Sequence, residues 1–120
     1  MKVIIAGSRN FYKYELLKQK CDEALCDFII NGESIEIVSG KARGTDELGE
    51  RYAAERGFSI KPFPADWETY GNRAGAIRNT EMADYADTLI AFWDGYSSGT
   101  KNMIHLAEKK GLRVFVFKYC

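Results

Sequence analysis

The chain has 120 residues, 46% of them hydrophobic and 28% charged. Those figures suit one compact domain and exclude a disordered chain. Seventeen basic residues balance seventeen acidic ones, so no global positive field is available to gather nucleic acid, and only a local basic patch stays open.

The opening run MKVIIAG is too short for a signal-peptide core or a membrane span, so a cytoplasmic protein without a membrane partner is expected. Lys2 to Ala6 reads as a β-branched strand that ends at Gly7. From Tyr14 to Ile30, Leu17, Cys21, Ala24, Leu25 and Phe28 recur at steps of three and four, one face of an amphipathic helix. It stops at Asn31-Gly32, where glycine can take the left-handed cap conformation. Ile35 to Ser39 is a second strand, ending at Gly40. A second helix, capped by Thr45 or Asp46, runs to Arg56-Gly57.

Phe58 to Phe63 is a weaker strand, and Pro62 within it suits an edge. A third helix spans about Arg73 to Tyr85, followed by a strong strand from Thr88 to Trp93. A fourth helix follows Gly99-Thr100 and ends at Lys110-Gly111, and Arg113 to Phe117 is the last strand. Unbroken runs of Val, Ile and Phe predict strands buried on both faces. The order βαβαβαβαβ predicts an α/β domain over residues 1–120: a parallel sheet, right-handed crossovers, and helices on both faces. In such sheets ligands bind beyond the carboxyl ends of the strands, where strand order reverses. Cys21, Cys26 and Cys120 are odd in number and fit no zinc or redox spacing, so they read as reduced thiols.

Four loops carry the chemistry. In AGSRNF, Gly7 allows close backbone approach, while Ser8 and Arg9 bring a hydroxyl and a guanidinium to the tip of the first strand. The G-x-G-x-x-G dinucleotide fingerprint is missing. SGKARGTD is not a Walker A motif, yet Gly40 and Gly44 permit an anion nest of successive N–H groups. The helix opening at Thr45 adds its dipole, and Arg43 a forked contact. Asp46 would repel a phosphate and suits a cap or a hydroxyl partner.

FWDGYSSGTKNMI offers Gly95, Ser97, Ser98, Gly99 and Thr100 before the fourth helix, with Asp94 placed to accept from a ribose hydroxyl. In PADWETYGNRAGAIRNTEM, Asp66, Trp67 and Tyr70 precede a helix bearing Arg73, Arg78 and Asn79. Ile77 and Met82 are expected toward the core and Arg78 toward the loops. Trp67 can stack on a base or act as a lid on the core, and Arg78 can meet a ligand or make a structural ion pair. His105 has no second His or Cys at ligand spacing, and nothing gathers a Ser-His-Asp set, so neither a metal nor a cofactor is expected.

Taken in order, AGSR, SGKARGTD, PADWETYGNRAGAIRN and WDGYSSGTKNMI resemble the YspA/cpYpsA-related branch of the SLOG superfamily, which is named for the Smf/DprA and Lonely Guy proteins. The likeness runs over nearly the whole chain. It implies a three-layer Rossmann-like fold with a five-stranded, mainly parallel sheet, and binding of a nucleotide or nucleotide-derived ligand. Matched motif by motif, it carries the binding role onto Gly7, Ser8, Arg9, Gly40, Arg43, Gly44, Asp46, Arg78, Asn79, Gly95, Ser98, Gly99 and Thr100. Thr45, Trp67, Asp94 and Ser97 join them from the loop chemistry.

The Lonely Guy phosphoribohydrolases carry Pro-Gly-Gly-x-Gly-Thr-x-x-Glu, with a catalytic glutamate. Aligning Gly99-Thr100 with that Gly-Thr puts Met103 in its place, and a thioether is neither acid nor base. The expected function is therefore binding of a nucleotide-like small molecule, as a sensor or an ADP-ribose-type binder. Its phosphate would sit on the N-termini of the second and fourth helices, with Arg9, Arg43 or Arg78 neutralising it and Trp67 or Tyr96 stacking on the base. The alternative is an N-glycosidic hydrolase in which Asp46, Asp66, Asp94 or Glu81 replaces the glutamate. A DNA-binding module like the Smf/DprA relatives is disfavoured by the zero net charge. The expected assembly is a homodimer, as suggested by small open-sheet proteins and by the resemblance.

Overall fold

In the computed structural model, strand β1 (Lys2–Gly7) leads to helix α1 (Tyr14–Ile30), then β2 (Glu36–Ser39), α2 (Thr45–Arg56) and β3 (Ser59–Pro62). A short helix α3 (Trp67–Tyr70) and a 3₁₀ turn (Gly71–Arg73) precede α4 (Ala74–Tyr85), β4 (Thr88–Trp93), α5 (Ser98–Lys109) and β5 (Arg113–Lys118). The structure describes residues 1–119; Cys120, read above as a thiol, lies outside the described residues.

All strands are parallel, in the order β3-β2-β1-β4-β5. The alternation of side chains across the central strands builds two cores. Val3, Ile5, Ile37, Ile90 and Phe92 face one way, onto Leu17, Cys21 and Leu25 of α1 and Leu48 and Tyr52 of α2. Ile4, Ala6, Val38, Leu89 and Ala91 face the other way, onto Met82 and Ala83 of α4 and Met103 and Ala107 of α5. Such double burial is why these strands read as unbroken apolar runs. The result is the expected three-layer Rossmann-like α/β fold. Among the described residues, no helix is long and apolar enough to cross a membrane.

Two expectations are corrected. β5 is not buried on both faces. It is an edge strand whose Val116 is exposed and whose Val114, Phe115 and Phe117 are only half covered. α5 begins at Ser98, ahead of Gly99-Thr100, because Ser97 is the capping residue, its hydroxyl accepting from the Thr100 N–H. β3 is the edge strand that Pro62 suggested.

Candidate functional site

Strand order reverses at β1, which has β2 on one side and β4 on the other. The loops that leave these strands diverge there and open a crevice. A cleft of about 830 Å³ occupies it, walled by the loops after β1, β2 and β4 and by α4. A second lobe of about 470 Å³ continues past Arg9, Arg43, Trp67 and Arg78, residues that line both spaces.

The β1 wall is built by close approach. A Cβ at Gly7 would overlap the Phe92 carbonyl oxygen and lie 2.7 Å from Thr45 Oγ1, so only glycine lets β1 pass β4 and α2 here. Next in the chain, Ser8 is 2% exposed and its hydroxyl has no hydrogen-bond partner among the described residues. It is near enough to Asp94 to help lower that carboxyl's pKa, though not in hydrogen-bonding geometry. A buried hydroxyl without a protein partner on a cleft wall is available to hydrogen-bond a bound molecule.

The β2 wall is tightly latched. Ser39 Oγ donates to Glu50 at 2.7 Å, Lys41 Nζ pairs with Glu50 at 3.0 Å, and the Lys41 N–H donates to Ser39 Oγ at 3.2 Å. Lys41 has φ 60, a left-handed conformation that costs a non-glycine residue energy and is held by these bonds. Gly44, at φ 76, packs where any Cβ would strike the Arg9 backbone.

Helix α2 has Gly44 at its N-cap, with no side-chain capping bond. Thr45 instead donates its hydroxyl (2.9 Å) and its N–H (3.3 Å) to the Ser8 carbonyl. Asp46 accepts from the Ala42 N–H at 3.1 Å. At the start of α2 the Thr45 N–H is thus taken by the Ser8 carbonyl, and the Asp46 carboxyl takes the Ala42 N–H ahead of the helix. Asp46 is 7% exposed, and burial pushes its carboxyl up to about 6 against the opposing pull of the Ala42 N–H, Arg78 and Arg9.

α4 supplies Arg78 and Asn79. The Arg78 guanidinium donates to the Gly40 carbonyl and, through Nε, to Asn79 Oδ1 at 3.0 Å. Burial lowers its pKa, the Asp46 charge opposes that, and the Arg9 charge adds to it. Asn79 donates to Asn102 Oδ1 at 3.0 Å and to the Gly99 carbonyl at 3.3 Å, tying α4 to α5. Opposite, Asp94 Oδ1 accepts the N–H groups of Tyr96 and Ser97, both at 2.8 Å, which hold its carboxyl below the usual range, Ser97 most. That turn delivers Ser98 and Gly99 to the cleft wall, where first-turn N–H groups have no helical acceptor.

Of the residues singled out from the sequence, Gly7, Ser8, Arg9, Arg43, Asp46, Trp67, Arg78, Asn79, Asp94, Ser97, Ser98, Gly99 and Thr100 line the cleft, and Gly40 lines the second lobe. Gly44, Thr45 and Gly95 line neither; they shape the backbone behind the walls. Tyr96 is 91% exposed and outside the lining, whereas Trp67 is half exposed within it. Asp66 caps α3 through the Thr69 N–H and, like Glu81, lines neither space. Met103 is fully buried in the α4–α5 core and reaches the cleft floor. Asn10, Tyr12, Asn72 and Asn102 also line the cleft without having been singled out. Asn102 could have been found, since it lies one helical turn beyond Ser98.

A parallel α/β sheet with a polar cleft at its switch point is a Rossmann-like architecture. The model of the YspA, cpYpsA-related SLOG family (YAcAr) matches residues 1–70, and the chain belongs to that family. It is 35% identical over 123 aligned positions to the Gene 61 protein of Mycobacterium phage D29, covering 97% of this chain and 95% of that one. The X-ray structure of DNA processing protein A (DprA) from Streptococcus pneumoniae superposes with a TM-score of 0.71 at 19% identity. That match covers 99% of this chain, which spans about half the length of the DprA chain, and it establishes the fold. SLOG membership suggests a nucleotide-related role.

Proposed function

We propose that residues 1–120 act as one SLOG-like domain that binds a nucleotide or nucleotide-derived small molecule in the switch-point cleft, as a sensor or binder. The observation that carries this reading is the buried Ser8 hydroxyl, which has no hydrogen-bond partner among the described residues and lines the same cleft as the α5 N-terminus. A phosphate seated there would accept from Ser8 and from the Ser98 and Gly99 N–H groups, with the helix dipole favouring its charge. Arg9, Arg43 and Arg78 supply the neutralising charge, and Trp67 offers a face for a base. Asp46 disfavours a second anion beside α2 and is suited to a sugar hydroxyl. A thermal-shift screen with AMP, ADP, ADP-ribose and adenosine tests this. The phosphorylated compounds should raise the melting temperature and adenosine should not. Equal response to adenosine, or none to any compound, contradicts it.

One observation favours a second reading, N-glycosidic hydrolysis: the cleft holds a buried carboxyl, Asp46, poised near 6, within the range useful to a general acid or base. With Met103 where the Lonely Guy glutamate would stand, Asp46 is the carboxyl that could take over proton transfer. Incubation with nucleoside monophosphates, NAD and ADP-ribose, followed by separation of the products, tests it. Free base above the blank, lost in Asp46→Asn, supports hydrolysis; no free base excludes it for these substrates.

A further inference from the structure

The junction between the two lobes has an unusual charge balance. Arg9, Lys41, Arg43 and Arg78 line the second lobe, and no carboxylate lines it, although the chain as a whole is neutral. Lys41 is neutralised by Glu50. Arg78 gives its hydrogen bonds to the Gly40 carbonyl and Asn79, neither of them charged. Arg9 and Arg43 have no ion pair or side-chain hydrogen bond among the described residues. Arg9 and Arg78 repel each other across this space. The nearest carboxyl, Asp46, lines the first lobe and not the second; its charge acts on Arg78 more than the Arg9 charge does, so Arg78 is partly compensated while Arg9 and Arg43 carry the excess. Arg9 and Arg43 are exposed at this concave spot with no protein carboxylate paired to them among the described residues, which leaves both guanidinium groups able to meet an anion.

The α5 N-terminus and Ser8 belong to the first lobe alone, whereas the three arginines line both lobes and so reach an anion seated beyond the first. Gly40, Lys41, Pro64 and Ala65 belong to the second alone. Trp67 borders both and can carry a base or sugar between them.

We infer that the ligand carries two anionic groups, one held at the α5 N-terminus and the other clamped by Arg9, Arg43 and Arg78 where the lobes meet. This rests on the nucleotide reading above and narrows its class to nucleotides with a second phosphate, either linked through the first or placed elsewhere on the ribose. A polynucleotide fits less well, because the cations gather inside a lobe of about 470 Å³ and the neutral chain offers no field to hold a longer backbone.

Calorimetric titration tests the inference, with AMP, ADP, adenosine 3′,5′-bisphosphate, inorganic pyrophosphate and a single-stranded oligonucleotide as probes. The wild type is compared with the Arg9→Ala/Arg43→Ala double variant. Both positions are exposed, so the variant should fold, and its unliganded melting curve checks this. In the wild type, one of the two doubly phosphorylated nucleotides should bind about ten- to hundredfold tighter than AMP, the range of one or two charged hydrogen bonds. Which of them gains identifies where the second phosphate sits. In the variant that ratio should fall to near one. A ratio near one already in the wild type overturns the two-anion inference while leaving the nucleotide reading intact. Pyrophosphate binding that the variant loses, with no nucleotide binding tighter than pyrophosphate, upholds the arginine subsite and refutes the nucleotide reading. An oligonucleotide that outbinds both small bisphosphates overturns the inference in favour of a polymer.

Discussion

Asp46→Asn tests the electrostatics of the cleft directly. The Asp46 carboxyl is 7% exposed and its pKa rises from 3.8 to about 6, with burial as the main cause. A shift of that size corresponds to about 3 kcal/mol, at roughly 1.36 kcal/mol per unit. The folded state holds this proton more tightly than the unfolded chain does. Its cost is therefore absent well below pH 3.8, small at pH 4, and grows as pH rises toward 6, with the full cost present above that.

Asparagine mimics the protonated acid and keeps an oxygen for the Ala42 N–H. The variant should match the wild type near pH 4 and exceed it by about 2–3 kcal/mol at pH 7.5. Urea denaturation of both proteins at half-unit steps from pH 4 to 7.5 reads the difference, and taking the difference cancels the other titrating groups. A difference that stays flat across this range, or a variant less stable than the wild type at pH 7.5, refutes the reasoning. In that case Arg78, deprived of its counter-charge, would outweigh the cost of the buried carboxylate.

Three further predictions concern the walls. Ser8→Ala removes a buried hydroxyl that has no partner, so thermal melts should show unchanged or slightly raised stability, while calorimetry shows nucleotide affinity weakened about five- to tenfold. Trp67→Ala should cost under about 1 kcal/mol of stability, since the side chain is half exposed. It should also weaken binding by roughly 1–3 kcal/mol if the ring stacks on a base. Gly7→Ala drives a methyl group into the Phe92 carbonyl, and chemical denaturation should show a loss of about 3 kcal/mol, because a strand backbone cannot move aside as a side chain can.

Much of the fold is legible because burial on both faces leaves a plain pattern. α1 follows from the spacing of Leu17, Cys21 and Leu25, all fully buried, and its end at Gly32 from a true left-handed turn, φ 73. β5 shows where the pattern misleads: Arg113 to Phe117 is as apolar as a central strand, but strand order, which no local run encodes, leaves it at an edge. α3 was unreadable because four residues contain one turn and no periodicity; only Asp66, capping through Thr69, marked it.

The cleft is legible for a different reason. Loops that need small and hydroxyl residues stand out against apolar strands, so Gly7, Ser8, Ser97, Ser98 and Gly99 were visible. The same residue types also serve the backbone alone, as Gly44, Thr45 and Gly95 do, and composition does not separate the two uses. Nor does it show that Asn79 is spent bridging Arg78, Gly99 and Asn102, contacts that exist only once α4 lies against α5.

The central claim is that a nucleotide phosphate completes the wall formed by Ser8 and the start of α5. A crystal structure of the protein with AMP tests it most directly. The account predicts the phosphate within hydrogen-bonding distance, about 3 Å, of Ser8 Oγ and the Ser98 and Gly99 amides. AMP bound elsewhere on the molecule, or bound in the cleft with its phosphate turned away from α5, would contradict it.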